Sequence, residues 1–301
     1  MSKSKTLTTL TIAAAIVFVS CSNNQMESDL EIPKANKEFN SVILTQMSNF
    51  NDSVIKTRPT TRGVYSRGCI MAGDISGAIS CGRAGFWAGG LFGPHAAIGG
   101  ATLGAIIGGA SGSYIAYRAT RTRTAMNSNI IEPMKVAAAY AEIKDSDIKI
   151  DQYKPKTINV NYPTQDENIT LMGTKHNIIL QNLLDDKADP EAVSNRLTKQ
   201  ELEILNSKEY IQTYDSIMNQ IENFGGLSVT GNDVPSQLIN LFNQVVAQYP
   251  QNGNDMEFLI NKYIDAVKAS DEISDEDKNL IYQSLSVAAS SFEFWDNQMN
   301  K

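Results

Sequence analysis

The feature that most restricts this chain is a glycine pattern. Fourteen of its 20 glycines fall between Gly68 and Gly112. Gly73, Gly77, Cys81, Gly85, Gly89 and Gly93 recur every four residues; after Pro94-His95 a second series follows, Ala96, Gly100, Gly104, Gly108, Gly112 and Ala116. A spacing of four sets each series along one side of an α-helix, as a smooth stripe that drifts slowly round the axis. Gly93-Pro94 between the two series is a turn signal. Glycine costs a water-exposed helix about 1 kcal/mol per residue against alanine, so such helices need a setting that returns this cost. Two backbones in close van der Waals contact return it. The expectation is a helical hairpin whose arms pack along Gly73, Gly77, Gly85, Gly89 and Gly93 on one side and Gly100, Gly104, Gly108 and Gly112 on the other.

Two settings allow that packing, a bilayer and a protein interior. Ala96 to Tyr117 carries no charge, and 22 residues at 1.5 Å each give about 33 Å, enough for a hydrocarbon core. The first arm contains Asp74 and Arg83, each costing roughly 2.5–3.5 kcal/mol near a bilayer centre. Arg83 is two residues from Gly85, about 200° round the helix from the stripe. It therefore faces lipid in a membrane, or an acidic surface if the hairpin packs on its own protein. Both settings stay open at this point.

Charge is divided unevenly along the chain. The formal net charge is -7, yet residues 58–124 hold seven arginines against one acid, and residues 125–301 hold 14 Lys+Arg against 27 Asp+Glu. Arg58, Arg62 and Arg67 precede the hairpin, and Arg118, Arg121 and Arg123 follow it. In a hairpin these ends lie together, so the six form a collar suited to lipid phosphates or to the acidic remainder of the chain. No aromatic or base-reading pattern accompanies the arginines, which argues against nucleic acid.

Lys3 and Lys5 precede an apolar run from Leu7 to Val19, the basic and hydrophobic regions of a secretory signal peptide, too short to span a bilayer. The run ends at Phe18-Val19-Ser20-Cys21. This resembles the bacterial lipobox, which implies a diacylated Cys21 as the new N-terminus. Ser22 rather than Asp after the cysteine implies, by the same resemblance, sorting to the outer membrane of a Gram-negative bacterium. The glycine stretch in turn resembles glycine-zipper segments of small outer-membrane lipoproteins of the surface-antigen type and of two-peptide bacteriocins. Both families imply membrane-associated helices; only the second implies killing.

The organisation expected is mainly α: a signal peptide (1–20), a tether (21–34), an amphipathic helix and basic loop (35–68), the hairpin (69–117), a basic linker, helix and polar segment (118–170), and an acidic helical domain (171–301). Ile148, Ile150, Ile158 and Val160 alternate as short strands would. Helices are expected at His176–Leu184, Glu191–Arg196, Thr198–Leu205, Ser207–Phe224, Pro235–Tyr249, Asp255–Ala269 and Ser274–Gln298, giving a bundle with short connections.

Catalytic signatures are sparse. His176 and His95 lack a neighbouring nucleophile motif, and two histidines with three cysteines do not make a zinc site. Cys69 and Cys81 would lie about 18 Å apart on one continuous helix, too far to bridge: either Cys81 is a small residue in the stripe, or the first arm is not helical from its start and the two can pair. No phosphate loop or dinucleotide fingerprint occurs, so no enzyme, metal or cofactor is expected. Two functions compete. One is a structural envelope lipoprotein whose hairpin contacts membrane lipid and whose helical domain binds an envelope protein or a second copy. The other is a bacteriocin-like precursor whose acidic domain restrains the basic hairpin, since complementary charge favours docking.

Overall fold

The computed structural model describes residues 40–57, 62–121, 130–144, 150–224 and 228–299. The signal peptide, Cys21 and the tether lie outside the described residues, as do Arg58, Arg123 and the side chains of Arg62 and Arg121. Among the described residues there are twelve α-helices, one 3₁₀ turn and no strand. In chain order the helices are α1 (Val42–Ile55), α2 (Arg62–Gly90), α3 (Pro94–Arg121), α4 (Pro133–Lys144), α5 (Glu167–Thr170), α6 (Met172–Leu184), α7 (Pro190–Arg196), α8 (Lys199–Leu205), α9 (Lys208–Phe224), α10 (Val234–Val246), α11 (Gly253–Ala269) and α12 (Asp275–Met299).

Local chemistry sets many of these boundaries. Thr198 and Glu201 form a reciprocal capping box at α8, and Asp189, Asp233 and Asn252 cap α7, α10 and α11 through their side chains. The hairpin turn needs Gly93, whose φ of +108° suits glycine. Pro94 then opens α3 at the position where its missing N–H costs nothing.

The hairpin is the centre of the molecule. Met71, Ile75 and Ile79 of α2 join a core built from α1, α10, α11 and α12. Ile70, Ala78 and Cys81, with Leu103, Ile106 and Ile107 of α3, join a second core built from α4, α6, α7, α8 and α9. A helix apolar all round is one buried all round, and α2 is such a helix over most of its length. Helix α12 runs antiparallel to α2, with Asp277, Ser291 and Asp296 meeting Arg83, Asp74 and Arg67 in turn. The expected boundary between hairpin (69–117) and acidic domain (171–301) thus passes through packed core.

Ile158 and Val160 do not belong to a strand. The segment they lie in is extended along α11 and α12, whose side chains take its backbone groups. Lys156 N–H donates to Glu293 (2.7 Å), Asn159 N–H to Glu257 (2.7 Å) and Asn161 N–H to Asn261 (2.8 Å). Ile150 lies in the 3₁₀ turn Ile150–Tyr153, and Ile148 is outside the described residues.

Candidate functional site: a sheathed hairpin with a bare tip

The two arms meet in strict antiparallel register. Gly73 faces Gly112, Gly77 faces Gly108, Cys81 faces Gly104, Gly85 faces Gly100 and Gly89 faces Ala96. A methyl group on Gly77 would sit 2.1 Å from the Gly108 carbonyl oxygen, and one on Gly85 2.0 Å from that of Gly100. Any side chain there would collide with backbone. Gly109, one residue off the stripe, would bring a methyl no nearer than 3.4 Å to anything, and Gly99 faces open space. Gly93 is placed differently from the other stripe positions, because it forms the turn and has nothing within 4 Å.

Charged groups of the hairpin find partners inside the protein. Arg83 donates to Asp233 (2.8 Å), to Asp277 (2.9 Å) and to the Ser236 hydroxyl (2.7 Å). Burial pulls its guanidinium down, but Asp233 and Asp277 more than offset this and leave it above its usual value. Arg67 donates to Asp296 and to the carbonyls of Pro250 (3.2 Å) and Gln251 (3.3 Å), and lies 4.2 Å from the Phe292 ring centre. Here burial prevails and lowers its value despite Asp296.

Asp74 sits at the hairpin's middle with no solvent exposure. Its carboxyl accepts from the Ser291 hydroxyl, and its Oδ1 faces His176 Nε2 at 4.0 Å. Burial lifts Asp74 well above the carboxylate range, against the pull of Ser113 and Ser291. Burial likewise lowers His176 to about 4, against Asn177 and the Gly109 carbonyl. Both are thus held neutral in the core. Ser113 meanwhile accepts a 2.8 Å bond from the Trp295 indole.

The tip is the reverse. Trp87, Leu91, Phe92 and Ile98 are 72%, 80%, 45% and 57% exposed, and His95 and Pro94 beside them are exposed too. Beneath Trp87 a groove of about 540 Å³ opens between α2 and α9, bordered by Arg83, Glu209, Gln212 and Ile217.

Of the six arginines expected to form a collar, only the side chains of Arg67 and Arg118 are among the described residues. Arg67 is engaged within the protein and turned from any lipid phosphate, because α12 and the Pro250–Gln251 carbonyls surround it. Arg118 is exposed at the end of α3, its guanidinium 5.8 Å from the Tyr114 ring centre. Cys81 is a free, buried thiol that burial pushes up in pKa, so it is neither bridged to Cys69 nor poised as a nucleophile. Arg83 meets acids rather than lipid. α3 is long and apolar enough to cross a membrane, but 83% of its most apolar window is covered by the protein itself. The side chains that sheathe the hairpin, Ser291, Asp296, Asp233 and Asp277, carry no motif. Only the charge opposition between the two halves of the chain hinted at them.

No group of three or more His, Cys, Asp or Glu side chains able to hold a metal occurs among the described residues. The arrangement is a close-packed helix pair, held in an acidic sheath, with an apolar end left bare. Comparison with protein-family models, with curated proteins and with solved structures finds no match to this chain.

Proposed function

We propose that this protein is a non-enzymatic envelope lipoprotein, anchored through Cys21, whose helical body is built round the glycine-zipper hairpin and presents the hairpin's tip at a membrane. The observation that carries the anchor is the basic, apolar and small-residue succession ending at Ser20-Cys21. A second or third acyl chain makes such anchoring stable, each buried methylene adding about 0.8 kcal/mol. The structure supports a changed role for the hairpin. With Asp74 and Arg67 enclosed and Arg83 ion-paired, the zippered length acts as the scaffold of the body, and attachment falls to the anchor. Metabolic labelling with palmitate, followed by membrane fractionation, tests this reading. The wild type takes label and sediments with outer membrane; Cys21→Ala loses both. Equal labelling of the two rejects it.

One observation favours the precursor reading as well. Arg67 and Arg83 of α2 are held by Asp233, the cap of α10, and by Asp277 and Asp296 of α12, which is what restraint of a basic hairpin requires. Cleavage of the full chain near Arg67 and at Arg118 to Arg123, in the presence of dye-loaded anionic vesicles, separates the two. Leakage that begins only on cleavage belongs to a restrained membrane-active hairpin; silence before and after belongs to the scaffold.

A further inference from the structure

We infer that Asp74 of α2 and His176 of α6 hold one proton between them, and that closing the hairpin against α6 passes this proton from the imidazole to the carboxyl. The pair is thereby a lock at the seam between hairpin and sheath, one that acid does not open and alkali opposes.

Donors and acceptors place the proton. Both side chains are fully buried. Asp74 Oδ2 accepts from the Ser291 hydroxyl, whereas Oδ1 has no hydrogen-bond partner among the described residues. It faces His176 Nε2, which has none either, at 4.0 Å. The neighbouring Asn177 fixes the ring's tautomer. Its Nδ2 donates to the Ser290 carbonyl (2.9 Å), so its Oδ1 is the acceptor, and that oxygen lies 3.2 Å from His176 Nδ1. The ring proton therefore sits on Nδ1, and Nε2 turns a lone pair toward Asp74. A carboxylate at 74 would set lone pair against lone pair. No charged group is at hand to relieve this: α3 brings Ser113 and the Gly109 carbonyl, α12 brings Ser291, and α6 brings Asn177. Buried acceptors left without a donor are costly. One proton on Asp74 Oδ1 makes a donor face an acceptor, and a shift of about 1 Å completes the hydrogen bond. An ion pair would hold the same proton but would put two charges into a dry core, so the neutral form is favoured.

In the unfolded chain, between about pH 4 and 6.5, the imidazole is protonated and the carboxyl ionised. On closing, the Nε2–H bond of the imidazolium breaks, an O–H bond forms on Asp74, and both charges disappear. No proton is exchanged with water, so pH leaves the pair's contribution unchanged over that range. Burial acts in this sense on both partners, raising Asp74 and lowering His176. Above about 6.5 the unfolded imidazole is neutral. Closing must then draw its proton from water, and rising pH opposes it.

Two measurements on the full-length chain test this. The chain has two histidines, and His95 is exposed at the hairpin turn, so ¹⁵N-histidine labelling gives two ring patterns, assigned with His95→Gln. In the folded wild type the His176 ring carries one proton, on Nδ1, from about pH 8 down to about 5. A ring protonated at both nitrogens in that range, or at Nε2 alone, overturns the inference. Urea denaturation then compares the wild type, Asp74→Asn, His176→Gln and the double variant between about pH 4.5 and 6, with the double variant as the baseline for every other titrating group. The wild type runs parallel to this baseline. Asp74→Asn loses up to about tenfold in folding constant per unit of acidification, and His176→Gln gains as much. A merely structural role for the two side chains gives four parallel lines and overturns the inference, as does a wild type that diverges from the baseline. Where a variant does not fold, the ring pattern of the wild type decides.

Discussion

The zippered length of the hairpin and its tip are written in nearly the same residues, glycine, alanine and aliphatics, yet they live in opposite surroundings. Along Gly73–Gly85 every face of α2 meets either the other arm or a helix of the sheath; from Trp87 onward its outer face runs bare, while Ala88 and Gly89 stay buried against the other arm. Composition does not separate them. The difference is made by side chains far away in sequence: Ser291 for Asp74, Asp233 and Asp277 for Arg83, Asp296 for Arg67. A glycine stripe decides how two backbones meet, and the charges on the outer faces decide how far the sheath extends.

The largest effect expected comes from breaking the zipper. Gly104→Leu places a side chain where a Cβ alone would lie 2.1 Å from the Cys81 carbonyl oxygen, and neither backbone can yield without opening the hairpin. No cooperative thermal transition should remain by circular dichroism. Gly104→Ala should cost at least about 3 kcal/mol, the upper range for overpacking a core. Gly109→Ala, whose methyl meets nothing closer than 3.4 Å, should change stability by less than about 1 kcal/mol. Equal losses at 104 and 109 would mean that glycine content, not register, holds the arms together.

Next in size is the clamp at the hairpin's base. Arg67→Ala leaves the Pro250 and Gln251 carbonyls without their donor and empties the space beside Phe292. About 3 kcal/mol should be lost in urea denaturation, the range for breaking a buried charged network. Leu91→Asp at the tip should leave the urea midpoint unmoved, because Leu91 is 80% exposed. A large loss there would make the tip part of the core after all.

How much of this was legible in the sequence depends on the range of the interaction. The helix starts were legible where a local cap exists, as with Thr198 and Glu201, which bond each other across three residues. The register of the arms was legible too, because the stripe has one period and one turn. The sheath was not: Arg83 and Asp233 are 150 residues apart, and no local pattern ties them. The alternation of Ile158 and Val160 misled for a related reason. One side of the segment does face the core, but its N–H groups are taken by Glu257 and Asn261 rather than by a neighbouring strand.

The buried pair at the hairpin's middle sharpens the comparison through pH. Asp74 has its folded-state pKa raised, so the stability it confers is full below the unfolded value near 3.8 and is lost as pH rises through the folded value. His176, lowered to about 4, acts in the opposite sense: its contribution is full above about 6.5 and is lost as pH falls toward 4. In the wild type the two oppose each other on the acid side of neutrality. Asp74→Asn keeps the shape and removes the titrating proton. The stability difference between variant and wild type should therefore grow with pH by about 1.4 kcal/mol per unit, starting near pH 4 and levelling at the folded value of Asp74. Urea midpoints at unit pH intervals measure it; a difference independent of pH would show that Asp74 does not titrate between the two states.

The smallest expected effect tests the edge between the two regions, at two neighbouring glycines. Gly100 lies in the zipper, where a methyl would sit 2.2 Å from the Gly85 carbonyl oxygen; Gly99, one residue earlier, has open space about it. Both are helical, in the second turn of α3. Alanine at 99 meets no atom and lowers the conformational freedom of the unfolded chain, so it should raise stability by about 0.5–1 kcal/mol. The same change at 100 meets backbone and should destabilise. Paired thermal melts of Gly99→Ala and Gly100→Ala, moving in opposite directions, would place the edge of the sheathed hairpin between two adjacent residues. A loss of stability in both would extend close packing to the outer face of α3 and shrink the bare tip to the turn itself.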